Sequence, residues 1–199
     1  DWSSDVCSSD LIDNGSNSVQ IKVVVPKGKY RIDKLLEIYS NTWLYLEDGA
    51  TIVRNFDKGC MIKNAQANGA GGYGSERNIV IEGGCWDGNP SPTSRPFSNM
   101  RFGHMKNLWI KNVEIKNNYN GHHVEIGGVK GITIEDCDFH GYTGTFQKEA
   151  IQLDTISNSD VFPAYEPFDD TPCDNAVIKN NKFHDLIRGL GSHSACLGV

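Results

Sequence analysis

The chain has 199 residues, 38% of them apolar, so it can build one domain or part of one around a real core. Its net charge of −6 gives no basic surface for nucleic acid. No apolar run approaches the roughly 18 residues of a membrane-spanning helix.

Residues 1–11, DWSSDVCSSDL, have no hydrophobic period and no clean capping pattern. They resemble the translation of a sequencing-adaptor oligonucleotide, and we expect them to be a non-native artefact outside the folded unit. Without Asp1, Asp5 and Asp10 the net charge becomes −3. On this reading the native N-terminus, and any secretion signal with it, is missing. The six cysteines have no CxxC or other metal spacing, so we expect core thiols rather than a disulfide framework, and the redox compartment stays open.

From Gln20 onward the sequence repeats. Four segments align without gaps, beginning at Asn78, Asn107, Gly131 and Asn175, which are 29, 24 and 44 residues apart. The shortest spacing reads as the bare repeat, and the longer ones carry loop insertions on one face. A weaker copy begins at Asn41 (NTWLYLEDGATI), and 20–40 reads as a further coil. We therefore expect a single domain over 12–199 with coils near 20–40, 41–77, 78–106, 107–130, 131–174 and 175–199. Period-two alternation within each copy indicates short strands. It stacks Ile81, Ile110, Ile134 and Ile178 in one column and Trp86, Ile115, Phe139 and Phe183 in another. Ile79, Leu108, Ile132 and Ala176 make a third. No coil buries its apolar face alone, so stability must come from stacked neighbours. The predicted fold is all-β, a right-handed parallel β-helix truncated at both ends. The Asn residues that open the copies suit left-handed turn positions better than a functional role.

A second alternation follows each copy: Met100–Phe102, Val124–Ile126, Ile151–Leu153 and the stretch around Leu190. With the apolar residues inward, Arg101, Glu125 and Gln152 share an outward column. Asp154 and His193 fall in the next one, and Ser98, His122, Glu149 and Arg188 precede the strand. Rungs about 4.8 Å apart would make this a polar row on an exposed sheet. The row is flanked by the insertions 64–77, 89–97 and 155–174 and forms a cleft for a linear ligand. His140 and His184 stack elsewhere, beside Asp87, and read as surface ladder residues rather than metal ligands. The aromatic insertion 161–168 is either a sugar-stacking wall or a loop packed down on the coils.

The coil pattern over 20–199 resembles the pectate-lyase-like β-helix superfamily. Gly121-His122-His123-Val124-Glu125-Ile126-Gly127 is similar to the Gly-His-Gly strand of polygalacturonase-type glycoside hydrolases. Lys148-Glu149-Ala150-Ile151-Gln152-Leu153 is similar to their Asn-Thr-Asp-Gly-Ile-Asp strand. The paired-Asp strand is absent, and the order of His and acid is reversed. The resemblance implies an extracellular polysaccharide substrate and a secreted or cell-surface location.

Candidate catalytic residues are Glu149, Asp154, His122, Glu125, Arg188 and His193, and candidate substrate-binding residues are Arg101, Gln152, Tyr165 and Phe168. The leading reading is a polysaccharide-acting enzyme, a glycoside hydrolase of the polygalacturonase-like type, with two alternatives beside it. A hydrolase would use Glu149 with Glu125 or Asp154 as acid and base. A uronate lyase or epimerase would set Arg188 or Arg101 on the substrate carboxylate and use His122 or His193 as base. A non-catalytic β-helix, such as an adhesin or phage tail spike, would only bind glycan. No cofactor is required, although Glu125, Glu149 and Asp154 offer oxygen ligands that can hold Ca2+.

Overall fold

A computed structural model describes residues 20–66, 69–91, 94–163 and 165–192. The adaptor-like segment 1–11, His193 and the cysteines Cys7 and Cys196 lie outside the described residues.

Every described strand is short except two. In the first half they are β1 Ile21–Val25, β2 Gly28–Ile32, β3 Leu36–Ile38, β4 Thr42–Leu46, β5 Ala50–Arg54, β6 Ile62–Asn64, β7 Glu76–Glu82 and β8 Cys85–Asp87. In the second half they are β9 Met100–Lys111, β10 Glu114–Tyr119, β11 Val124–Glu135, β12 Asp138–Thr143, β13 Glu149–Asp154, β14 Asp174–Lys179, β15 Lys182–His184 and β16 Arg188–Gly191. All pair in parallel, in three ladders. The first runs β1, β4, β7, the second half of β9, the second half of β11, then β14. The second runs β2, β5, β8, β10, β12, β15. The third runs β3, β6, the first half of β9, the first half of β11, then β13 and β16. The chain visits first, second and third ladder in turn, so each circuit lays one strand on each. β9 and β11 are long because they pass from the third ladder to the next circuit's first, bending at His104 (φ 52°) and Gly128 (φ 57°).

The columns expected from the repeat are the paired positions. Ile81 pairs with Ile110, Ile110 with Ile134, and Ile134 with Ile178. Trp86, Ile115, Phe139 and Phe183 follow one another in the second ladder. Met100, Val124, Ile151 and Leu190 do so in the third. Ile81, Ile110, Ile134, Trp86, Ile115, Phe139, Met100, Val124 and Ile151 are fully buried. Burying one such aliphatic side chain contributes about 1.5–3 kcal/mol, and repetition from rung to rung makes one continuous core.

Turn chemistry sets the corners. Asn41, Asn78, Asn107 and Asn175 all have φ between 55° and 60°, and Gly131 in the same column has φ 76°. Asn is tolerated there because its short polar side chain bonds locally. The side chains also chain together: Asn78 Nδ2 donates to Asn41 Oδ1 at 2.8 Å, and Asn107 Nδ2 to Asn78 Oδ1 at 2.9 Å. The structural reading of these Asn residues holds. Cys60, Cys85, Cys137 and Cys173 are buried free thiols, as their lack of motif spacing suggests. Burial pushes the Cys60 thiol up to about 11.

Candidate functional site

The third ladder carries the predicted row in the predicted register. Arg101 pairs with Glu125 and Glu125 with Gln152, while Glu149 pairs with Arg188. Its exposure is different from expectation. His122, Glu125, Glu149, Gln152 and Asp154 are buried, with 4%, 4%, 6%, 2% and 0% of their surface exposed. They point away from the apolar core, but loops fold over that face and turn an outer surface into a second polar layer.

What remains open is a groove of about 270 Å3. Ser98, Arg101, His122, Glu125 and Gln152 make its floor. Pro96, Phe97, Asn120, Gly121 and Lys148 stand on one side, and Asp160, Val161 and Pro163 belong to the other loop. The two-walled cleft exists, but on a narrower floor than the full row. Glu149, Asp154 and Arg188 are not part of its lining.

The floor is held by charge pairing. Arg101 Nε and Nη2 both donate to Glu125 Oε2, at 2.9 and 2.7 Å, and Ser98 Oγ donates to the same oxygen at 2.7 Å. Burial is the largest effect and works against the Arg101 charge, but Glu125, Cys60 and Tyr165 together outweigh it and hold the guanidinium pKa above its usual value. Lys63, one rung earlier, pairs with Arg101 in register and reaches Glu37 Oε1 at 3.1 Å. The column thus runs Glu37, Lys63, Arg101, Glu125, Gln152. Glu37 and Lys63 were missed because β3 and β6 are too short to show alternation. Arg101 is committed to Glu125, whereas the lyase or epimerase reading sets Arg101 or Arg188 on a uronate carboxylate.

His122 Nδ1 lies 2.9 Å from the Glu149 carbonyl oxygen and 3.9 Å from Glu149 Oε2. Burial lowers the His122 pKa, so the ring is neutral at pH 7, with Nδ1–H donating to that carbonyl. Glu149 Oε1 receives Arg188 Nη1 at 3.2 Å. Asp154 accepts from Gln152 Nε2, and its other oxygen lies 3.4 Å from Ser192 Oγ. Both acids belong to the covered layer. The expectation that they face substrate as a free acid and base is corrected.

The aromatic insertion is settled the same way. Phe162 and Tyr165 are fully buried and pack at 5.3 Å between ring centroids. They rest on a column of missing side chains: a Cβ on Gly103 would meet Tyr165 at 2.8 Å, and one on Gly127 would meet Phe162 at 2.9 Å. Tyr165 Oη donates to Asn64 Oδ1 at 2.8 Å and lies 3.1 Å from the Arg101 carbonyl oxygen. Tyr165 is therefore a plug and not a sugar-stacking surface. Phe168 is 38% exposed but does not line the groove. Two residues overlooked in the sequence clamp this loop. Asn64 takes Gly103 N–H at 2.8 Å. His104 lies 2.8 Å from the Gly72 and 2.9 Å from the Pro167 carbonyl oxygen.

This is an all-β, parallel-stranded fold with a loop-walled polar groove on its third ladder. No family model matches the chain. It is 26% identical over 213 aligned residues to plasmin and fibronectin-binding protein A of Streptococcus pneumoniae, an alignment covering 89% of this chain and 29% of that protein. The chain thus spans less than a third of the length of this curated relative. Two solved structures of PfbA, a surface adhesin of S. pneumoniae, superpose with TM-scores of 0.73 and 0.72 at 22% and 24% identity. These cover 87% of this chain and 49% and 46% of theirs. A candidate glycosyl hydrolase from Parabacteroides merdae superposes with a TM-score of 0.60 at 15% identity, covering 89% of this chain and 80% of that one. These likenesses establish a shared fold. Among the described residues, no helix is long and apolar enough to cross a membrane.

Proposed function

We propose that this chain is a segment of a right-handed parallel β-helix displayed at a cell surface, where it acts as a non-catalytic binding module. The groove over Arg101, Glu125 and His122 receives an extended extracellular glycan. The state of the carboxylates carries this reading. Of Glu125, Glu149 and Asp154, Glu125 alone lines the groove, and three hydrogen bonds converge on one of its oxygens. An inverting hydrolase needs an acid and a base about 6.5–9.5 Å apart, both facing the sugar. A floor whose one carboxylate is anchored by three hydrogen bonds suits recognition better than bond cleavage. The shared fold with a surface adhesin supports the location. The relative's name adds plasmin and fibronectin to the ligands worth testing.

A hydrolase is the second reading. It is favoured by Glu125 and His122 lying together on the floor and by the fold shared with the Parabacteroides protein. One experiment separates the two. The full-length protein is applied to a panel of extracellular polysaccharides, with plasmin and fibronectin alongside. Binding, reducing-end release and absorbance of a new double bond are followed together. Saturable glycan binding without either product, weakened by Arg101→Ala, is expected. Reducing ends select the hydrolase and a new double bond selects a lyase. Binding only to the two proteins moves the ligand from glycan to polypeptide.

A further inference from the structure

Away from the groove, the second ladder carries a different kind of chemistry. Phe139 points inward and is fully buried, so Asp138 and His140, on either side of it in β12, point outward. The next rung pairs Lys182 with Asp138, Phe183 with Phe139 and His184 with His140. The two imidazoles stack with centroids 4.6 Å apart and planes 11° apart. His184 Nε2 lies 3.0 Å from Asp138 Oδ1. One ligand atom each from Asp138, His140 and His184 falls within 4.8 Å of the other two.

We propose that Asp138, His140 and His184 form a binding site for a divalent transition-metal ion of the zinc type. Two imidazole nitrogens and one carboxylate oxygen match the donors zinc prefers, and they disfavour calcium and magnesium, which take oxygen ligands. Three protein ligands leave a fourth position for water or a partner group. Zinc–nitrogen bonds of about 2.0–2.1 Å put tetrahedral ligand atoms about 3.3 Å apart. The three ligand atoms, within 4.8 Å of one another as they stand, would have to draw together to meet that spacing. The second layer of contacts is also present. His184 Nδ1 lies 3.0 Å from Asp185 Oδ2, which presents Nε2 to the ion, and Glu114 Oε1 lies 2.9 Å from His140 Nε2. Such carboxylate–imidazole contacts fix the tautomer and strengthen the ligand. Lys116, which bonds Glu114 at 2.9 Å, and Lys182 oppose a cation. Asp138, Asp185 and Glu114 outnumber them at the site. An adjoining groove of about 410 Å3 adds Asp48 and Asp136 on the approach.

The test is titration of the chelator-treated protein with ZnCl2 by calorimetry, followed by cobalt substitution for its ligand-field spectrum. One equivalent should bind with a rise in melting temperature, and cobalt should give the absorption of a four-coordinate nitrogen–oxygen site. His140→Ala and His184→Ala should each remove that binding while circular dichroism stays unchanged. Asp185→Asn, which touches only the imidazole, should weaken it about 10–100-fold. Absence of binding to the wild-type protein, or binding that survives both His→Ala changes, would overturn the proposal. The stacked rings would then be only a surface ladder.

Discussion

Tyr165 stands directly over Gly103, where a Cβ would approach its ring to 2.8 Å, and this contact decides where the 155–174 loop lies. Gly103→Val should push the plug off the sheet, because a buried aromatic ring has no spare space to move into. Limited proteolysis should then cut within 155–174 in the variant and leave the parent intact. Equal resistance would show that the loop's polar contacts, to Asn64, Gly72, Tyr73 and His104, hold it without the ring's fit.

Glu125 and Arg101 form a pair with side chains only 5% and 15% exposed. Glu125→Gln should cost about 3–5 kcal/mol, since it leaves a buried guanidinium without its counter-charge. The double change Arg101→Met with Glu125→Leu should recover most of that loss. Denaturant unfolding of Arg101→Met, Glu125→Leu and the double variant reads the coupling. An additive double variant would mean the pair is solvated in solution.

Asn107 occupies the left-handed region, with φ 58°. Replacing it by Ala should cost about 1–2 kcal/mol from backbone strain, in addition to its bond to Asn78. Asn107→Gly should cost less, because Gly loses the bond but accepts the backbone. Thermal unfolding that ranks Gly below Ala would refute the turn role.

Acid should unfold the protein early through His123. Burial lowers its pKa to about 4, while its bond to the His140 carbonyl pulls weakly the other way. The unfolded side chain titrates near 6.5. Because the folded pKa is depressed, the unfolded chain takes the proton first. The stabilisation is complete above about pH 6.5 and falls as pH drops toward 4, by up to about 3 kcal/mol. His122, lowered by burial too, acts in the same direction. Glu114, held near 2 by hydrogen bonds from Lys116, Cys85 and His140 that outweigh burial, loses its contribution only below about pH 4.5. Urea midpoints measured from pH 7 to 4.5 should fall, and His123→Gln should flatten the slope. A flat profile in the parent would show that His123 is not buried in solution.

The repeat was legible in the sequence because a strand alternates with period two and each circuit repeats its own pattern. Knowing that Ile110 aligns with Ile134 was enough to place Arg101 beside Glu125, and the second alternation after each copy placed Glu125 beside Gln152 and Glu149 beside Arg188. Asn at the head of each copy announced a left-handed corner for a reason contained in its own side chain. Period two also separates inward from outward positions, but outward means exposed only when nothing covers the sheet. Whether Asp154 meets solvent depends on how the 155–174 loop that follows it packs. That loop settles there because Gly103 and Gly127 leave room for Phe162 and Tyr165, a fit between shapes that alternation does not encode. The same holds for Asp138 and His184, 46 positions apart, which the ladder brings to 3.0 Å. Local periodicity determined the register by itself, and long-range packing decided which of the registered side chains a ligand can reach.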